Sequence, residues 1–193
     1  MQVQQLSVKL FLSNGELLDT DELIPIFHRW IREHKLGSEL VIDVADYRHV
    51  PKGPGLMMVG HEGHYAMDEG GAGIGLSYSV KRDEVRSAQD ALKLVVQRAL
   101  NACALLEAES SVSGVSFDTS TIQVQVMSRL VASNDDAQFA LLEAELTEFF
   151  SNLYGNEDLA VSHLDSDPRA PLGATVTTDC NDSVATLLER LSA

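Results

Sequence analysis

Hydrophobic and polar residues alternate near the start of the chain. In "QVQQLSVKLFLS" Leu6, Val8, Leu10 and Leu12 fall on one face, and a period of two predicts a half-buried strand over residues 2–13. "SNGE" turns the chain, and the period then changes. In "DTDELIPIFHRWIREHKLG" the residues Leu23, Phe27, Trp30 and Ile31 recur at helical spacing between a cap-like Asp19–Glu22 pair and a stop at Gly37. Pro25 has no amide hydrogen, so the regular helix is expected to start near Glu22 or to be distorted there. "ELVIDVADY" is apolar on both faces, which predicts a strand interior to a sheet. The turn-rich "RHVPKGPG" leads to an apolar run from Leu56, a glycine-rich tip at residues 70–73 and "IGLSYSV"; the pattern reads as one hairpin with residues 61–64 inside its first strand.

Residues 83–108 predict a mostly buried helix. Asp83, Arg86, Asp90, Lys93, Gln97 and Asn101 make a single polar stripe, while Val85, Leu92, Val95, Val96, Leu100 and Leu106 cover much of the remainder. A Ser-rich connection at residues 110–120 follows. Beyond it "TIQVQVMSRL" reads as a strand, and "SNDDAQFALLEAELTEFFSNLYG" as a capped helix with Phe139, Leu142, Leu146, Phe149 and Leu153 on one face. "LAVSHLD" and "GATVTT" are short strands, and "NDSVATLLERL" is a closing helix.

The two halves follow one plan. An ungapped offset of 118 positions lays Leu6 and Val8 on Val124 and Val126, Leu23 and Ile24 on Leu141 and Leu142, Ile31 on Phe149, and Gly37 on Gly155. "VPKGPG" answers "RAPLG" after a slip of about two residues. Self-similarity at one long period points to two copies of a supersecondary unit. The expected fold is therefore α+β: two related β-α-β-β-α halves, residues 1–110 and 111–193, the first with an additional strand. Their antiparallel or mixed strands would form one sheet or two abutting sheets, with helices mainly on one face.

Composition narrows the function. With 193 residues, 45% of them hydrophobic, the chain can bury a substantial core. Fourteen Lys and Arg against 29 Asp and Glu give a net charge of −15, which repels phosphate backbones and anionic lipid and argues against nucleic-acid and membrane partners. No segment approaches the ~20 apolar residues of a membrane span, and the N-terminus reads as a strand rather than a signal peptide. Cys103 and Cys180 form neither a CxxC pair nor a dense framework, which suits a reducing cytoplasm.

Candidate chemistry concentrates in the first half, where Asp43, Asp46, His49, His61, Glu62 and His64 cluster in sequence; the second half offers mainly His163, Asp165 and Asp167. "HEGH" at residues 61–64 invites comparison with zinc signatures, but those need paired histidines on one helix face, and a strand points His61 and His64 to opposite faces. His49 with His61 is the easier pair for a divalent metal, completed by Asp43 or Asp46, of which a strand allows only one. In that setting Glu62 is a candidate base, Tyr65 a ligand contact, and the amides around Gly53 and Gly55 would receive an anionic oxygen. "EGGAGIG" precedes a strand rather than a helix and reads as a hairpin tip, not a phosphate loop. No "GxSxG" elbow is present.

The block "IPIFHRWIREHKLGSELVIDVADYRHVPKGPGLMMVGHEGHYAMD", residues 24–68, resembles a pattern of uncharacterised bacterial proteins of about this size. That resemblance implies a bacterial cytoplasmic origin, brings no established activity, and draws attention to His28, Asp43, His49, Gly55, His61, Glu62 and Tyr65. Two functions are expected. One is a cytoplasmic binding or interaction module, homo-oligomeric through "LMMV" or "LSYSV" as edge strands, with a small molecule as a further partner. The other is a small enzyme or metal-dependent ligand binder with its site on residues 43–65.

Overall fold

From strand β1 (Leu6–Leu12), Leu6, Val8, Leu10 and Leu12 all point into the core, as their alternation predicts. The computed structural model describes residues 5–15, 18–51, 53–71, 73–81, 87–112, 114–155 and 158–192. Asp83, Val85 and Arg86, named above, lie outside the described residues.

Helix α1 (Thr20–Arg32) follows, its first turn capped by the Asp19 carboxylate, which accepts the Asp21 amide at 2.9 Å. It starts before Glu22 and carries Pro25 inside it, because the cap holds the first turn and the proline removes one backbone bond without ending the helix. Strands β2 (Val41–Asp46), β3 (Leu56–Gly60), β4 (Gly63–Asp68) and β5 (Gly75–Val80) precede helix α2 (Ala88–Glu107). Then come β6 (Phe117–Val126), α3 (Asp136–Tyr154), β7 (Leu159–His163), β8 (Leu172–Thr178) and α4 (Val184–Ser192).

The eight strands form one sheet in the order β2-β3-β4-β5-β1-β6-β8-β7, every pairing antiparallel. β1 and β6 meet at its centre, with Val8 opposite Val124 and Leu6 opposite Val126, so the sheet runs unbroken across the 110–120 connection. Each half places its first strand centrally, its last strand beside that one, and the strand after its first helix at a sheet edge. The β3–β4 hairpin has no counterpart in the second half, and shared element order does not by itself establish that the halves are copies.

Alternation sorts the two faces of the sheet. Leu76 and Tyr78 of β5, Ile122, Val124 and Val126 of β6, and Leu172, Ala174 and Val176 of β8 are buried together with the inward residues of β1. Helix α1 packs on β2 and β3, α2 on β1 and β5, and α3 on β7 and β8, while α4 closes against α2 and α3. All four helices cover this one face. The other face carries Ser7, Lys9, Ser77, Ser79, Gln123 and Gln125 at its centre.

Three expectations change. β2 is an edge strand, not an interior one: Leu40 and Ile42 are each 59% exposed, and a register shift between Val41 and Asp43 sets Ile42 outside the ladder. An apolar strand reads alike whether a neighbour or solvent covers its second face. Residues 56–80 form three strands rather than one hairpin, with His61 and Glu62 at the β3–β4 turn. Finally, "LMMV" is β3 and "LSYSV" is β5, both flanked by neighbours, so neither offers a free edge. Among the described residues no helix is long and apolar enough to cross a membrane.

Candidate functional site

The residues singled out between 43 and 65 disperse over the β2–β3–β4 region. The β2–β3 ladder, from Val41 opposite Gly60 to Asp46 opposite Leu56, is roughly 16 Å long. His49 lies beyond its Asp46 end, stacked on Tyr47 at 6.4 Å, whereas His61 lies beyond its Gly60 end, donating its backbone amide to Leu40. The pair predicted to share a metal is thus held apart by the strands that were to unite it. Asp43 is exposed and caps the Val44 amide; Asp46 pairs with Arg48 at 2.7 Å, and that guanidinium, with the Arg48 amide, holds the carboxyl down to about 2. Glu62 is exposed at the turn, 3.9 Å from Arg98. Among the described residues no group of three or more His, Cys, Asp or Glu side chains could hold a metal ion.

Tyr65 points into the core, where it explains the glycines of "GHEG". Its hydroxyl donates to Glu39 Oε2 at 2.8 Å, and Tyr78 donates to Oε1 at 3.2 Å. Glu39 is itself buried, with Arg98 Nε 3.8 Å away. Burial and the facing Glu39 charge push both phenols well above the ordinary tyrosine range. A Cβ at Gly63 would stand 2.4 Å from the Tyr78 hydroxyl, and one at Gly60 2.4 Å from the Gly63 carbonyl oxygen and 3.0 Å from Glu39 Oε1. The turn is therefore glycine-flanked because the Tyr78 hydroxyl needs the space at Gly63, and the turn's own backbone, with the Glu39 carboxylate behind it, needs it at Gly60. This network is a brace inside the fold; it was invisible in sequence because Glu39 sits in no motif.

A different constellation forms on the helix-free face. Register aligns two rows across the sheet: Thr175, Gln123, Lys9, Ser77, Ala66 and Met57 in one, and Gly173, Gln125, Ser7, Ser79, His64 and Val59 in the other. Short side chains at the middle of both rows, Ser7, Ser77, Ser79 and Ala66, leave a hollow of about 390 Å³. Gln123, Gln125 and Met127 stand on one side, Met57 and His64 on the other. The loop after β2 also lines it through Gly53 and Pro54, so one predicted site residue, Gly53, does reach this site. Gly55 anchors that loop: its φ is +68°, and a Cβ there would lie 2.3 Å from the Met67 carbonyl oxygen.

The electrostatics of the hollow are nearly neutral. Lys9, 5% exposed, donates to Asp68 at 2.9 Å and to the Gly70 carbonyl at 2.7 Å, which neutralises its charge within the fold. Ser79 donates to Ser7 at 2.7 Å. Gln123 is only 9% exposed and makes no side-chain hydrogen bond to any described residue, and His64 Nδ1 is buried without a partner. Burial, helped by the Lys81 charge, lowers the His64 pKa, so its ring is neutral at pH 7 and presents one donor and one acceptor nitrogen. These groups suit hydrogen bonding to a ligand rather than nucleophilic or acid–base chemistry.

Sequence reasoning missed Lys9, Asp68, Gln123 and Gln125 here. The signal for the glutamines is the polar half of the alternation, which in "LSYSV" and "TIQVQV" is serine, threonine and glutamine rather than the charged residues of a freely solvated face; Lys9 in "SVK" is the one charge among these positions. Comparison with protein-family models, curated proteins and solved structures finds no match.

Proposed function

We propose that this protein is a binding module that takes a small molecule in the hollow on the open face of its sheet. His64 and Gln123 carry the reading: His64 Nδ1 is buried without a partner, which is costly unless something from outside pairs with it, and the Gln123 amide lines the same hollow with no side-chain partner among the described residues. The volume is of the size that accommodates small ligands, roughly 300–1,000 Å³. Residues 43–65 support a metal or catalytic site less well, since His49 and His61 stand at opposite ends of a ladder and Tyr65 serves Glu39. The free cysteines, Cys103 buried and Cys180 hydrogen-bonded to Asp182, agree with a cytoplasmic setting.

Self-association belongs to the same proposal, through the β2 edge instead of β3 or β5. Leu40 and Ile42 are the observation that favours it. The binding reading is tested by recording amide ¹H–¹⁵N spectra of the full chain while adding flat heterocycles, sugars or inorganic phosphate. Shifts clustered on residues 7–9, 64–66, 77–79 and 123–125 are expected for at least one class; shifts confined to residues 43–62, or none from any class, would overturn it.

A further inference from the structure

Resting on the binding reading above, we infer that the hollow selects a flat, uncharged ring system that offers an amide-type edge, an N–H beside a C=O or ring nitrogen, as in a free nucleobase. Gln123 and Gln125 lie two residues apart on β6 and so face the same way. A glutamine amide is a donor and an acceptor side by side, and its best complement is a second such pair in the same plane, the geometry by which Asn and Gln read adenine. Gln125 has its place because Gly173 opposite it is bare: a Cβ there would stand 2.9 Å from the Gln125 Cγ.

Shape and charge narrow the ligand further. The floor is backbone roofed only by Ser7, Ser77, Ser79 and Ala66, hence shallow and flat. Met57, Met127 and Pro54 supply apolar edges, and thioethers make favourable contacts with aromatic rings. His64, neutral and with Nδ1 unpartnered, adds a hydrogen-bonding group from the side opposite Gln125. No free cation awaits an anion among the described lining residues: Lys9 is held by Asp68 and Gly70, and the chain carries a net charge of −15. A phosphorylated ligand would meet repulsion with nothing in the hollow to offset it.

The experiment titrates uracil, adenine, 1,3-dimethyluracil, glucose and inorganic phosphate into the ¹⁵N-labelled full chain and into Q123L and Q125L. Uracil or adenine should shift the amides of residues 123–125, 7–9 and 77–79. Dimethyluracil, the same shape without N–H donors, should bind at least about tenfold more weakly, and Q123L should lose about tenfold for uracil, the worth of one or two hydrogen bonds. Retained dispersion of the remaining amide signals establishes that each variant is folded. Equal binding of dimethyluracil and uracil, or unchanged binding by a folded Q123L, would overturn the inference. Glucose or phosphate shifting these amides while the bases do not would overturn it and leave the hollow a binding site; silence from every probe would remove both.

Discussion

Gly55 and His64 show what single residues decide at the rim of the hollow. Only glycine combines φ +68° with backbone passing 2.3 Å from where a Cβ would stand, so Gly55→Ala should cost roughly 2 kcal/mol or more, read as a lowered Tm and loss of signals from the 53–55 loop. The glycine was legible in "GPG" as a turn; its contact with β4 was not, because the partner is the Met67 carbonyl, which any residue would supply. His64 makes stability pH-dependent. Its folded pKa lies below the ordinary value of about 6.5, through burial first and the Lys81 charge second, so above 6.5 both folded and unfolded forms are neutral and its contribution is complete. As pH falls below 6.5 the unfolded chain takes up the proton first, and stability drains until the folded pKa is passed. Thermal melts between pH 7 and 5 should therefore fall more steeply for the wild type than for His64→Gln; parallel slopes would deny His64 this role.

Elements were read best where one period ran long. β1, α1, the described part of α2, and β6, α3, β8 and α4 follow alternation or helical spacing closely, since their buried faces are largely apolar rows, and β7 alternates with its inward side only half-buried. The β3–β5 meander was misread because its two turns are unlike: a tight one at His61–Glu62 with strand-like neighbours, and a longer glycine-rich one that dominated the pattern. What holds the meander to the helices is a buried carboxylate that no periodicity announces. Glu39 accepts from β4 through Tyr65 and from β5 through Tyr78, with the α2 residue Arg98 beside it. Glu39→Ala leaves two phenol hydroxyls and a guanidinium short of a partner and should destabilise by about 3 kcal/mol, whereas Tyr78→Phe removes one weaker bond and should cost about 1 kcal/mol. Denaturant unfolding separates the two; near-equal losses would show that the carboxylate is not the hub.

For the whole molecule, the one-sided helix layer leaves the polar sheet face free and puts the two edges in unequal states. β7 at one edge alternates half-buried with exposed residues and holds His163 against Phe139 of α3 at 4.3 Å, while at the other edge Leu40, just before β2, and Ile42 within it are exposed. Apolar exposure at a strand edge invites a second strand; Asp43 and Asp46 on the same strand, and the net charge of −15, oppose it. Attraction is short-ranged and repulsion screened by salt, so the balance predicts a weak dimer whose population rises with ionic strength. Antiparallel β2–β2 pairing would extend the sheet across a twofold axis and leave the hollow, which lies between β3 and β6, open in both copies. Light scattering at about 0.5 M salt should then report a mass approaching twice the 21.0 kDa of one chain, and Ile42→Lys, which puts a charge in the seam, should return it to the single-chain value without changing ligand-induced shifts on residues 123–125. A wild type that stays at 21.0 kDa at high salt and millimolar concentration would leave Leu40 and Ile42 as plain surface residues.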